Sequence, residues 1–108
     1  MADFDDFLKA LKSELIEIGR DAAEDIQNEV VQDGQAFVNK TREDLQRWTT
    51  LLSLGELSRE EFEYLLEAKK DLAEMEALKQ KGLAMTRIDK LRNAVIGAIV
   101  GSAMNIFG

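Results

Sequence analysis

Cysteine, proline and histidine are all absent from this sequence. Without cysteine there is no disulfide framework, no thiolate nucleophile and no zinc–thiolate site. Without histidine the side chain that most often moves protons near neutral pH is missing, and a serine–histidine–aspartate triad cannot be built. The di-metal site of helix bundles, which uses Glu-x-x-His pairs, falls for the same reason. The lack of proline acts on the fold instead. No residue forces a kink or withholds a backbone N–H, so long helices are the natural expectation. The glycines are scattered, with neither Gly-x-Gly-x-x-Gly nor Gly-x-x-x-x-Gly-Lys to cradle a phosphate. The reading is a protein with no catalytic residues, no metal site and no cofactor, hence not an enzyme.

What is present is a globular balance: 108 residues, 45% hydrophobic and 32% charged, enough for one domain. The net charge of −7 is unevenly spread. Residues 1–78 hold 9 of the basic and 20 of the acidic side chains, giving −11; residues 79–108 hold Lys79, Lys81, Arg87, Lys90 and Arg92 against Asp89 alone, giving +4. An acidic majority repels phosphate backbones, so nucleic acid is not an expected partner. The N-terminus reads Met1-Ala2-Asp3-Phe4-Asp5-Asp6, acidic where a secretory signal is basic, and the cytoplasm is the expected location.

The apolar pattern is helical. Phe4, Leu8, Leu11, Leu15, Ile18, Ala22, Ile26 and Val30 follow one another in steps of three and four, the mark of one face of an amphipathic helix. Asp3 is placed to cap it, with Asp5 and Asp6 against the positive end of the dipole. The stripe continues through Phe37, Thr41, Leu45, Trp48 and Leu52 without losing phase. Its period is roughly 3.7 residues, nearer an 11-residue repeat than a heptad, so any coiled coil would be weakly wound or right-handed. Asp33-Gly34 is the first candidate break, and residues 3–54 read as one long bent helix or, preferably, as two helices joined at Gly34.

The clearest punctuation is Leu54-Gly55-Glu56-Leu57-Ser58. Gly55 suits the left-handed position that ends a helix. Ser58 and Glu61 form a capping box for the next, and Leu57 and Phe62 stand at the positions of a hydrophobic staple. A turn at 55–58 and a helix over about 59–81 follow, the latter turning Phe62, Leu65, Leu66, Leu72, Met75 and Leu78 inward. Glu60, Glu63, Glu67, Lys70, Asp71 and Glu74 fall on its solvent side. The acidic group Glu60, Glu61, Glu63 and Glu67 reads as a solvated face, since no EF-hand loop accompanies it. Beyond Lys81-Gly82, Thr86-x-x-Asp89 is placed to cap a last helix over about 84–107 that carries Ile88, Leu91, Val95 and Ile99.

The segment Leu51-Leu52-x-x-Gly55-Glu56-Leu57-Ser58-x-Glu60-Glu61-Phe62, followed by Leu65-Leu66, Lys69-Lys70 and Leu72, resembles the SHOCT motif, the "short C-terminal domain" of many bacterial proteins. That motif is a helical hairpin whose turn reads Gly-x-Ile/Leu-Thr/Ser-x-Glu-Glu-Phe. The resemblance implies a bacterial or phage origin and a role in oligomerisation or localisation, not a reaction.

Residues 94–107 break the amphipathic rule, being uncharged and apolar or small on every side. Their 14 positions fall short of the roughly 20 needed to span a bilayer. Gly97-x-x-x-Gly101 and Ala98-x-x-x-Ser102 form a small-residue flank on which another helix can approach closely. Trp48 is a further candidate interface residue, although its place on the apolar stripe favours the core. Arg87, Lys90 and Arg92 just upstream are candidate lipid-facing cations.

The sequence therefore predicts an all-α protein, an antiparallel bundle of three or four helices without a sheet. Its expected role is a non-enzymatic assembly or scaffold protein. The expected partner is a second copy or another helical protein. The alternative is reversible membrane association through the basic-then-apolar C-terminal helix, a contact that is possible but not favoured.

Overall fold

The computed structural model describes residues 3–108; Met1 and Ala2, which open the acidic N-terminal stretch, lie outside the described residues. The all-α class holds. Six α-helices, α1 (Phe4–Asp21), α2 (Gln27–Lys40), α3 (Arg42–Ser53), α4 (Arg59–Ala68), α5 (Glu76–Gln80) and α6 (Met85–Phe107), account for most of the described residues, with two single-turn 3₁₀ segments at Glu24–Ile26 and Lys70–Leu72 and no strand among them.

α1 begins where its caps say it should. Asp6 N–H donates to Asp3 Oδ1 at 3.0 Å, and the Asp6 carboxylate accepts from Asp3 N–H in return. The helix turns Phe7, Leu11 and Leu15 inward, whereas Phe4, Leu8 and Ile18 of the predicted stripe are only half-buried. The buried stripe thus runs Phe7, Leu11, Leu15 and Gly19, and its first member is a position the stepwise pattern passes over.

The expected break at Gly34 does not occur. The chain reverses instead at Ala22 and Ala23, both extended, before the short 3₁₀ turn. Gly34 sits buried inside α2, where an added Cβ would stand 2.7 Å from Leu15 Cδ2 of α1. Together with Gly19 beside the Gln27 carbonyl, it brings two antiparallel helices close together. The second interruption is a kink. Thr41, fully buried, donates its hydroxyl to the Phe37 carbonyl at 2.9 Å between α2 and α3. Because the chain bends there without reversing, Phe37, Thr41, Leu45, Trp48 and Leu52 stay buried on one face as their phase requires.

The corner after α3 follows the sequence. Gly55 adopts φ +74, and the Ser58–Glu61 capping box is complete, with Glu61 N–H donating to Ser58 Oγ at 3.1 Å and Ser58 N–H to Glu61 Oε1 at 2.9 Å. The predicted helix over 59–81, however, is divided. α4 ends at Ala68, Met75 takes a left-handed conformation (φ 56, ψ 42), and only then does α5 form. The break leaves Leu72 exposed, while Met75 and Leu78 are buried. Gly82 (φ +78) ends α5, so no helix runs through it. α6 starts at Met85 after Ala84; no side chain caps it, and the Thr86–Asp89 cap does not form.

α6 is the longest helix and packs against α1, α4 and α3, with its end beside the start of α1. One continuous core results, in which Phe7, Leu11, Leu15, Phe37, Leu45, Trp48, Phe62, Leu66, Leu78, Ile88, Val95 and Ile99 meet. At about 25 cal/mol per Å² of apolar surface, side chains of this size each contribute roughly 1.5–3 kcal/mol when fully buried. The radius of gyration is 13.6 Å and the principal extents are 42 × 25 × 19 Å.

Candidate interaction surfaces

Two exposed surfaces and one buried carboxylate stand out from ordinary core packing. The first surface is the outer face of α6. Ala94, Gly97, Gly101 and Asn105 are exposed along one line, and nothing stands within 4 Å of where a Cβ would be at Gly97 or Gly101. The opposite face carries Val95, Ile96, Ile99, Val100 and Ala103 into the core. The uniformly apolar run thus has an inside and an outside, and its outside is small rather than greasy. Ala98, half-buried, stands at the edge of the open line; Ser102, 4% exposed, is turned into the protein and does not belong to it.

Trp48 is likewise a core residue. It is 5% exposed and meets Phe62 edge-on, with ring centroids 6.2 Å apart at 81°. The ring is already packed inside the chain, so it presents no anchor to a partner. Of the three candidate lipid-facing cations, Arg87 and Lys90 are exposed, but Arg92 is engaged. Its Nε donates to the Ala73 carbonyl at 2.9 Å and its guanidinium pairs with Asp89, which ties α6 to the segment before α5.

The second surface lies on α4. Leu57, Glu60, Glu61, Tyr64 and Leu65 line an open groove of about 330 Å³. Tyr64 is 75% exposed and Leu54, three residues before Leu57, is 65% exposed, the two largest exposures among the big apolar side chains. Carboxylates surround the groove, as the solvated-face reading expects. Glu61 has a local duty there: the Ser58 backbone N–H, and after it the Ser58 side chain, hold its carboxyl below the usual 4.5. Glu74 is lowered by the hydrogen bond from Lys40 and by that residue's charge, in an ion pair of 2.9 Å that ties α2 to the segment before α5. Tyr64 escapes periodicity because it lies one position off the Phe62, Leu65, Leu66 stripe, between glutamates. The usable signal was the mismatch of a large ring on a charged face.

Asp33 is the third feature. It is 5% exposed, and its two oxygens accept from Ala77 N–H and Leu78 N–H, each at 2.9 Å. A carboxylate on α2 thereby caps the first turn of α5, more than 40 residues away in the chain. Among the described residues no group of three or more acidic side chains is arranged to hold a metal ion, and no helix is long and apolar enough to cross a membrane.

Comparison of the chain with models of protein families, with curated proteins and with solved structures gave no match.

Proposed function

We propose that this protein is a non-enzymatic, self-associating helical module whose default location is the cytoplasm, and that its copies meet through the outer face of α6. The observation that carries the reading is the pair Gly97 and Gly101. Each lies in the interior of a 23-residue helix, where glycine is about 1 kcal/mol less favourable than alanine. Gly34 shows what a helical glycine does in this protein when another helix needs the space. Gly97 and Gly101 have the same small profile one turn apart, with nothing against them. A helix from a second copy, approaching to backbone distance, gives both a purpose. Oligomerisation, one of the two roles that the SHOCT resemblance implies beside localisation, points the same way.

The membrane-surface reading has less support. The large aliphatic side chains of α6 that would enter lipid are turned into the core, and Arg92 is held within the chain.

Light scattering coupled to gel filtration, over a wide concentration range, tests the proposal. The expected mass exceeds the 12.1 kDa of one chain and rises with concentration. At ~500 mM salt, where contacts between exposed charges are screened, Gly101→Leu is expected to lower it towards one chain while leaving the helical circular dichroism unchanged, because the site is open and solvent-facing. A single-chain mass throughout, or an oligomer indifferent to this substitution, refutes the α6 interface.

A further inference from the structure

The groove on α4 and the start of α6 are complementary in charge and in kind. Between Leu54 and Ala68 the chain carries Glu56, Glu60, Glu61, Glu63 and Glu67 against Arg59, a net of −4 around exposed Tyr64 and Leu54. Between Lys79 and Arg92 it carries Lys79, Lys81, Arg87, Lys90 and Arg92 against Asp89, a net of +4 around Met85, which is 54% exposed. Each segment therefore carries a large exposed apolar side chain among a majority of like charges, and the two net charges have opposite sign.

Within one chain these charges do not meet. Glu67 pairs with Lys70, Lys81 with Glu29 and Arg92 with Asp89, and no ion pair among the described residues joins the two segments. Glu56, Glu60 and Glu63 on one side, and Lys79, Arg87 and Lys90 on the other, have no ion-pair partner among the described residues. We infer that the Tyr64 groove of one copy docks the basic, Met85-bearing start of α6 of a second copy. Leu57, Tyr64 and Leu65 cover Met85, while the surrounding charges set orientation and encounter rate and repel a like-charged partner. This contact is separate from the Gly97–Gly101 face and stands without it.

The test uses the full chain carrying Gly101→Leu, so that loss of the α6 face and loss of the groove are read independently. Sedimentation or light scattering at ~20 mM and ~500 mM salt is expected to show association weakened at least tenfold at the higher ionic strength. Glu60→Lys with Glu63→Lys, leaving Glu61 to its capping bond, should abolish association, as should Arg87→Glu with Lys90→Glu. An equimolar mixture of these two charge-reversed proteins should associate again, since an acidic groove then faces a basic end. Tyr64→Ser, at a solvent-exposed position, should weaken association about tenfold or more at either salt. Circular dichroism confirms that each variant is folded. The inference is overturned by a single-chain mass at low salt, by reversed variants that associate unchanged, or by a mixture that stays apart. It is equally overturned if the chain ignores its own copies yet binds an arginine-rich amphipathic peptide through Glu60 and Glu63, which would assign the groove to a different protein.

Discussion

Asp33 illustrates how one buried charge fixes a backbone. Met75 is held in a left-handed conformation that a bulky side chain adopts at a cost of about 1 kcal/mol or more, and α5 begins immediately after it. The Ala77 and Leu78 N–H groups of that first turn point at no carbonyl of their own helix; both oxygens of Asp33 receive them. Asp33→Ala leaves two buried donors unsatisfied, at roughly 1–3 kcal/mol for each. The expected outcome in urea denaturation is a loss of about 2–4 kcal/mol, with no comparable effect of Gln32→Ala at its exposed neighbour. A loss under about 1 kcal/mol would mean that water replaces the carboxylate and that the cap is incidental. Asp33-Gly34 reads as a turn dipeptide when taken alone. It is instead two tertiary contacts side by side, an aspartate for α5 and a glycine for Leu15, and no local rule carries that information.

At the level of the element, the sequence spoke plainly where the chain satisfies its own ends. The Asp3 cap, the Gly55 corner and the Ser58–Glu61 box all depend on residues within four positions of one another, and all three stand as read. The C-terminal half of α6 was also legible, because the apolar run over 94–107 is unbroken, whereas the Thr86–Asp89 cap read for its start does not form. The divisions at Ala22, Thr41 and Met75 were not, because each is decided by a neighbour far along the chain or by packing of the helix that follows. The α6 glycines were legible as a small-residue flank, whereas the Tyr64 groove was hidden by its glutamates. The capping box also makes a prediction about acid. Glu61 has its carboxyl lowered in the folded protein, so the ionised form stabilises α4 above about pH 4.5 and that contribution is lost as pH falls through the lower folded value. Glu61→Gln keeps the hydrogen-bonding oxygen and removes the charge. Its thermal midpoint is expected to lie below that of the parent near neutral pH and to converge with it in acid. Midpoints that differ by the same amount across the whole range would assign the effect to shape rather than ionisation.

Taken as a whole, the molecule is closed by its ends. Phe7 of α1, fully buried, lies 6.0 Å from Phe107 at the last position of α6, and Phe4 stacks beside Phe7 at 5.6 Å with the Arg42 guanidinium over its ring. Residues about a hundred positions apart therefore share one cluster, and α6 packs against α1, α3 and α4 together. A C-terminal turn in many proteins frays without consequence. Here Phe107→Ala removes half-buried aromatic surface from the seam between first and last helices, at an expected cost of about 2 kcal/mol. For a chain of this size that corresponds to a fall of roughly 10 °C in the thermal midpoint. The cooperative reading is tested by watching Trp48, which lies with Phe62 at the α3–α4 corner and does not form part of the aromatic cluster at the ends. Its fluorescence and the far-ultraviolet circular dichroism should shift together by the same amount. If the dichroism alone moves and Trp48 keeps the parent midpoint, the two ends of the molecule melt as separate units, and the central helix does not transmit what happens at the seam.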